Sequence, residues 1–308
     1  MKTFKQAGFT LIELMIAITL GLILVAVAIQ MLVSGQQNYR IQSSAASLQD
    51  SGLFGINYVT KNIRLANHGN AGIINDESLY GGIVLSNQTS STATPPADGN
   101  LKGLKQDSTL ISGDKFISKS TYNDSAVTTY SKSDQLVIIY QAPENMVTCT
   151  GRNTKGSSRS LTALTRGWYV VERYYIKKRT SGDGADLYCS DALFTAQGEP
   201  VNQTHTVGTN TTTIAATETL NADYGLGGEM IARNVEYMRI QLMVRNSNNT
   251  IATMGINDYL ALVVDSDNTT ATPAHRPAIT GINLGLLTRS NETVPNGTVG
   301  TYKILDKT

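Results

Sequence analysis

From Phe9 to Val33 the chain is apolar or small in almost every position, and Glu13 is its one charged residue. A run of about 25 such residues is long enough to cross a hydrocarbon layer as a helix. The pattern then turns amphipathic. Ile41, Ala45, Leu48, Gly52, Ile56, Val59, Ile63 and Ala66 follow one another in steps of four and three, the stripe of a helix with one buried face. The first proline is Pro95, so nothing forces a break. One helix from Phe9 to Ala66 would be about 85 Å long at 1.5 Å per residue. Past Asn67 the period shortens. Leu136–Tyr140 is a short apolar run, and Trp168–Ile176 is rich in aromatic and β-branched residues. Met238, Ile240, Leu242 and Val244 alternate with Arg239, Gln241, Met243 and Arg245, and Ile282, Leu284 and Leu286 alternate again. These read as strands. The polar stretches Ser86–Asn100, Asn202–Asp223 and Asp265–Pro277 read as exposed loops. The pattern as a whole predicts an α+β fold, a long N-terminal helix packed on an antiparallel β-sheet head.

Composition adds two constraints. The chain has 308 residues and a formal net charge of +1, so no global basic field argues for nucleic acid. Its two cysteines are Cys149 and Cys189. A sparse, even count behind an export-type N-terminus predicts one disulfide between them, with two unpaired buried thiols as the alternative. The loop closed, about 41 residues, would be worth roughly 4 kcal/mol in the chain-entropy model.

The N-terminus narrows the class. Met1–Gly8 is short, carries Lys2 and Lys5, and ends in glycine. An ordinary secretory signal places a small-residue cleavage site after its apolar core. None follows here, and the helix pattern continues instead. The positive residues before the run keep the leader cytoplasmic and the head outside. Glu13 needs a partner, because a carboxylate within a hydrocarbon segment costs on the order of 2–3 kcal/mol. Cleavage after Gly8 would free the amine of Phe9, and a neighbouring subunit's amine could supply the positive charge. An uncut anchor with Glu13 reaching to the interface is the alternative.

Gly8-Phe9-Thr10-Leu11-Ile12-Glu13-Leu14 resembles the class III leader of type IV prepilins, shared by pilins and by the pseudopilins of type II secretion. The resemblance implies cleavage between Gly8 and Phe9, N-methylation of Phe9 and a subunit-docking role for Glu13. Major pilins commonly carry a proline in the first half of this helix, and Gln30 stands at that position. Ser51-Gly52-Leu53-Phe54 through Asn62-Ile63-Arg64-Leu65-Ala66, Val235–Gln241 and Ile282–Ser290 resemble segments of the PilW minor pilins. That family usually has an aspartate where Asn62 stands, so any charge contact it makes with the arginine at Arg64 is not available to this chain.

The implied organisation is a leader (1–8), a transmembrane and filament-core helix (9–33), an amphipathic continuation (34–66) and a periplasmic, later extracellular, β-rich head (67–308). The implied function is a minor pilin that primes type IV pilus assembly and sits at or near the tip. The alternatives are a J-type pseudopilin and a tip adhesin or DNA-uptake receptor. The implied partners are other minor pilins, the major pilin, the prepilin peptidase and methyltransferase, and the inner-membrane assembly platform. The chain would begin as a single-pass inner-membrane protein and end in a surface pilus.

Other constellations are weaker. His68, His205 and His275 lack metal-ligand spacing. Asp265-Ser266-Asp267-Asn268 opens like a calcium loop but lacks its glycine and terminal glutamate, and reads as a turn. Tyr174-Tyr175-Ile176-Lys177-Lys178-Arg179 joins aromatics to Lys177, Lys178 and Arg179, as single-strand nucleic-acid binders do. A solvated strand end is the alternative. No phosphate loop, nucleophile elbow or carboxylate pair is present, so no enzymatic activity, cofactor or metal is expected.

Overall fold

The computed structural model describes residues 8, 10–87, 99–121, 133–159, 164–182, 184–200, 202–263, 275–290 and 301–307. The leader segment Met1–Ala7, Phe9 and Asp265–Asn268 lie outside them, as do the centres of two predicted loops, 88–98 and 265–274. The chain divides into two compact units, one of residues 1–49 with 290–300 and one of 50–289 with 301–308.

Helix α1 is Leu11–Ile63, beginning and ending close to the sequence reading. In the first unit its large apolar side chains from Leu11 to Val33 are exposed. In the head unit one face is buried, through Gly55, Val59 and Asn62. The predicted stripe is therefore correct in period but displaced by one residue at Gly55 and Asn62. Leucine-sized side chains are not what this face needs. A Cβ on Gly55 would lie 3.0 Å from Ala232 Cβ and within van der Waals reach of Leu187 and Leu286, so the helix approaches the sheet closely there. Beyond Ile63 the helix gives way to a turn in which Asn67 takes φ 70°, a conformation asparagine tolerates at helix ends.

The head's main strands are β1 (Leu136–Gln141), β2 (Tyr169–Lys178), β3 (Ala185–Phe194), β4 (Gln203–Val207), β5 (Asn210–Ile214), β6 (Glu229–Ala232), β7 (Val235–Arg245) and β8 (Ile251–Gly255). Helix α2 (Ile256–Leu260) and strand β9 (Ile279–Thr288) follow. One antiparallel sheet has the order β6-β3-β2-β1, and a second has the order β8-β7-β9. The first sheet is buried on both faces. Leu136, Ile138, Tyr140, Val170 and Tyr174 join Val59 of α1 and the inner face of β7 in one cluster. Val137, Ile139, Tyr169, Val171 and Phe194 join Tyr80, Leu104, Phe116 and Tyr224 in another. Burial on both sides explains why β1 and β2 read as continuous rather than alternating runs.

Two loop expectations are corrected. Asn202–Asp223 contains the hairpin β4–β5, built from β-branched threonines around Gly208-Thr209. Asn100, at the end of another predicted loop, is fully buried. Its side chain accepts from the N–H of Leu85 and donates to the carbonyls of Asn75 and Ser78.

Candidate functional site

The helix start is built by its own sequence. Thr10 precedes the first helical residue, and Glu13 stands three positions on. Thr10 donates to Glu13 Oε2 from its backbone N–H at 3.2 Å and from its hydroxyl at 3.0 Å, while Glu13 N–H donates to Thr10 Oγ1 at 3.4 Å. This is a reciprocal capping box, which satisfies donors that a helix N-terminus leaves unpaired. It also places a negative charge at the positive end of the helix dipole. The Thr-x-x-Glu spacing was visible in the sequence, yet the sequence reading took Glu13 only as a docking group. Thr19 donates its hydroxyl to the Ile16 carbonyl at 2.9 Å, so this polar side chain is satisfied inside the helix. Gly8 is exposed. The helix is long and apolar enough to cross a membrane.

In the head, a hydrogen-bond network centres on Glu172 of β2. Tyr174 and Tyr140 donate their hydroxyls to it at 2.6 and 3.1 Å, and the Cys149 N–H donates at 3.0 Å. Asn62 of α1 donates in turn to Tyr174 Oη at 2.8 Å. Asn62 thus joins the helix to the sheet by a neutral hydrogen bond. Burial pushes the Glu172 carboxyl up to about 7 against these hydrogen bonds, and Asp191 adds repulsion. Asp191 lies directly opposite Glu172 in the β2–β3 register. Cys149 and Cys189 form a disulfide with Cα atoms 6.1 Å apart, and Cys189 pairs with Tyr174 across the same strands. The bridge therefore fixes the segment whose N–H reaches Glu172.

The proposed nucleic-acid grip changes character. Tyr174 and Tyr175 are buried and present no face to a base. Arg179 holds Asp186 through two hydrogen bonds of 2.9 and 2.5 Å and also donates to Asn234 Oδ1, while Lys177 Nζ lies 4.9 Å from the centre of the Tyr188 ring. Lys178 is exposed at the end of β2. Among the three histidines, His68 bonds the Gln141 carbonyl, His205 meets the edge of Trp168, and His275 pairs with Glu77. Sequence reasoning missed Glu172. The one available signal was a charged pair, Glu172-Arg173, inside an otherwise apolar strand.

The model of the prokaryotic N-terminal methylation motif matches residues 3–29. No curated protein and no solved structure matches the chain. The motif, followed by one long apolar helix and antiparallel sheets, supports a type IV pilin-like prepilin, pilin or pseudopilin. That class implies a structural protein, processing by a prepilin peptidase, and assembly with other pilins. The helix and the motif fit a chain anchored in the inner membrane and later carried in a pilus.

Proposed function

We propose that the chain is a PilW-like minor pilin that primes type IV pilus assembly and sits at or near the tip. In this reading the leader, residues 1–8, is cut between Gly8 and Phe9, and Phe9 is N-methylated. Residues 9–33 form the filament core, 34–66 continue the helix, and 67–308 form the exposed head. Its role is structural, and its partners are other minor pilins, the major pilin and the inner-membrane platform.

The observation that carries the reading is Glu13. Its carboxylate stands in an exposed apolar segment, and among the described residues its hydrogen bonds are with Thr10 of the same chain. No basic side chain is nearby in sequence to neutralise it once the leader is gone. The N-terminal amine of a neighbouring subunit, brought alongside as apolar helices pack, provides the missing charge. Glu13→Ala tests this. The variant is expected to lose its leader normally while surface pili drop to a small fraction of wild type. Normal piliation with the variant as the only copy would refute the docking role. Deletion of the gene is expected to abolish surface pili while the major pilin is still made, and unchanged piliation would refute priming.

A further inference from the structure

The hairpin that joins β7 to β8 carries the triplet Asn248-Asn249-Thr250. Its loop is closed by the Asn246 N–H on the Thr250 carbonyl and by the Asn249 N–H on the Asn246 carbonyl, both at 2.9 Å. Asn249 takes φ 63°, the left-handed conformation that such short hairpin loops need. This backbone folds the triplet onto itself. Thr250 donates to Asn248 Oδ1 from its N–H at 3.2 Å and from its hydroxyl at 2.6 Å. Asn248 is exposed, and its Nδ2 has no hydrogen-bond partner among the described residues.

Asn-x-Thr is the acceptor pattern for N-linked sugars on exported proteins. The pattern alone is weak, since Asn87, Asn202 and Asn210 open the same triplet. The structure separates them. Asn87 Nδ2 is committed to the Gly113 carbonyl at 2.9 Å. Asn210 lies with Thr212 in β5, where extended backbone sets residues two apart about 6.6 Å from each other, so the hydroxyl does not meet the amide. Asn202 has no hydrogen bond to Thr204 among the described residues. Of these four, Asn248 alone joins an exposed, uncommitted Nδ2 to a threonine hydroxyl already on Oδ1. That contact matters chemically. An amide nitrogen is a poor nucleophile because its lone pair is delocalised into the carbonyl. As Nδ2 attacks and loses a proton, negative charge develops on Oδ1, and two donors already aimed there stabilise it without rearrangement.

We propose that Asn248 is a site of N-glycosylation, with the sugar delivered from a polyprenyl diphosphate by a membrane transferase. Nδ2 attacks the anomeric carbon and the C–N bond forms. The bond from that carbon to the diphosphate oxygen breaks, the diphosphate leaves with the electron pair, and one Nδ2 proton passes to a base of the transferase. Such a donor meets only an exported head, so the proposal rests on the pilin reading. The position also suits assembly. Gly52 of α1 faces Thr288 at one end of β9, and the Asn248 loop lies beyond the other end, where Ile279 pairs with Val244. The strand between them places about 30 Å along the sheet. A sugar on Asn248 therefore stands clear of the glycine face of the helix.

The test is mass spectrometry of the full chain recovered from the surface of its own host, with fragmentation that keeps sugars attached. A chain that begins at Phe9 and carries a sugar mass on Asn248 is expected, with lower occupancy at Asn87, Asn202 and Asn210. Thr250 is exposed, so Thr250→Ser and Thr250→Val are both expected to keep the wild-type melting temperature, the first with the sugar and the second without it. A Phe9 chain with a bare Asn248 would overturn the proposal and leave the pilin reading intact. A surface chain that keeps Met1 would overturn both. Sugar that persists on Asn248 in Thr250→Val would overturn the role of the hydroxyl. Sugar on Asn248 when export is blocked would overturn the lipid-linked donor.

Discussion

Tyr174 donates its hydroxyl to Glu172, two residues earlier on the same strand, at 2.6 Å. Both side chains point to the same face of the sheet, where Tyr174 also accepts a hydrogen bond from Asn62 of the helix. Among the described residues no cation is hydrogen-bonded or ion-paired to Glu172, so its charge rests on neutral donors.

That arrangement fixes a pH dependence. The Glu172 pKa rises from 4.5 to about 7 on burial, so the folded state holds the proton more tightly than the unfolded chain. The resulting stability is complete below about pH 4.5 and is lost as pH rises through about 7. The shift corresponds to something on the order of 3 kcal/mol. The apparent melting temperature of the full chain is expected to fall by roughly 5–10 °C between pH 5 and pH 8. Glu172→Gln is expected to flatten that profile. Thermal denaturation across the range checks it, and an identical slope in the variant would remove Glu172 as the cause.

Asn62→Asp, which installs the residue usual in the PilW family, is expected to destabilise this chain by about 2–4 kcal/mol. An aspartate cannot donate to Tyr174, and its charge would be added beside Glu172 without a cation. The urea midpoint at pH 7.5 measures the effect, and an unchanged midpoint would show that the site accommodates the acid. The loss is expected to shrink at pH 5, where protonation of either carboxyl relieves the repulsion.

The two glycines of the helix face part company. A Cβ on Gly52 meets only Thr288, at 3.6 Å. Gly52→Ala is therefore expected to stabilise by about 0.5–1 kcal/mol through helix propensity alone. A Cβ on Gly55 meets Ala232 Cβ at 3.0 Å, so Gly55→Val is expected to cost about 1–3 kcal/mol by overpacking. Opposite shifts in the unfolding midpoint check the pair, and equal shifts would contradict the packing described.

The fold was legible where one physical effect dominated. The long helix followed from its apolar run and stripe, and β1, β2, β7 and β9 followed from apolar or alternating positions. Strand β3 was missed because Asp186, Ser190 and Asp191 interrupt its apolar pattern. Asp186 and Asp191 are buried beside Arg179 and Arg152; Arg179 faces Asp186 across the β2–β3 turn, and Arg152 comes from a segment far upstream of Asp191. The hairpin β4–β5 was read as loop because threonine counted as polar, although its branched Cβ favours strands. At the candidate site, Glu13 stood out as a lone charge. The network around Glu172 did not, since it joins Asn62, Tyr140, Cys149 and Tyr174 from segments that only the tertiary fold brings together.

The close approach at Gly55 has a consequence for biogenesis. The helix emerges first from the ribosome, but the groups that cover Gly55 are Leu187, Ala232 and Leu286, and the last of these belongs to the final strand. The Cys149–Cys189 bridge can close while that strand is still unmade. The head is thus tied in its middle before its helix face is covered, and contacts so distant in sequence form late. During export the helix face therefore stays open to other apolar surfaces until that strand is delivered.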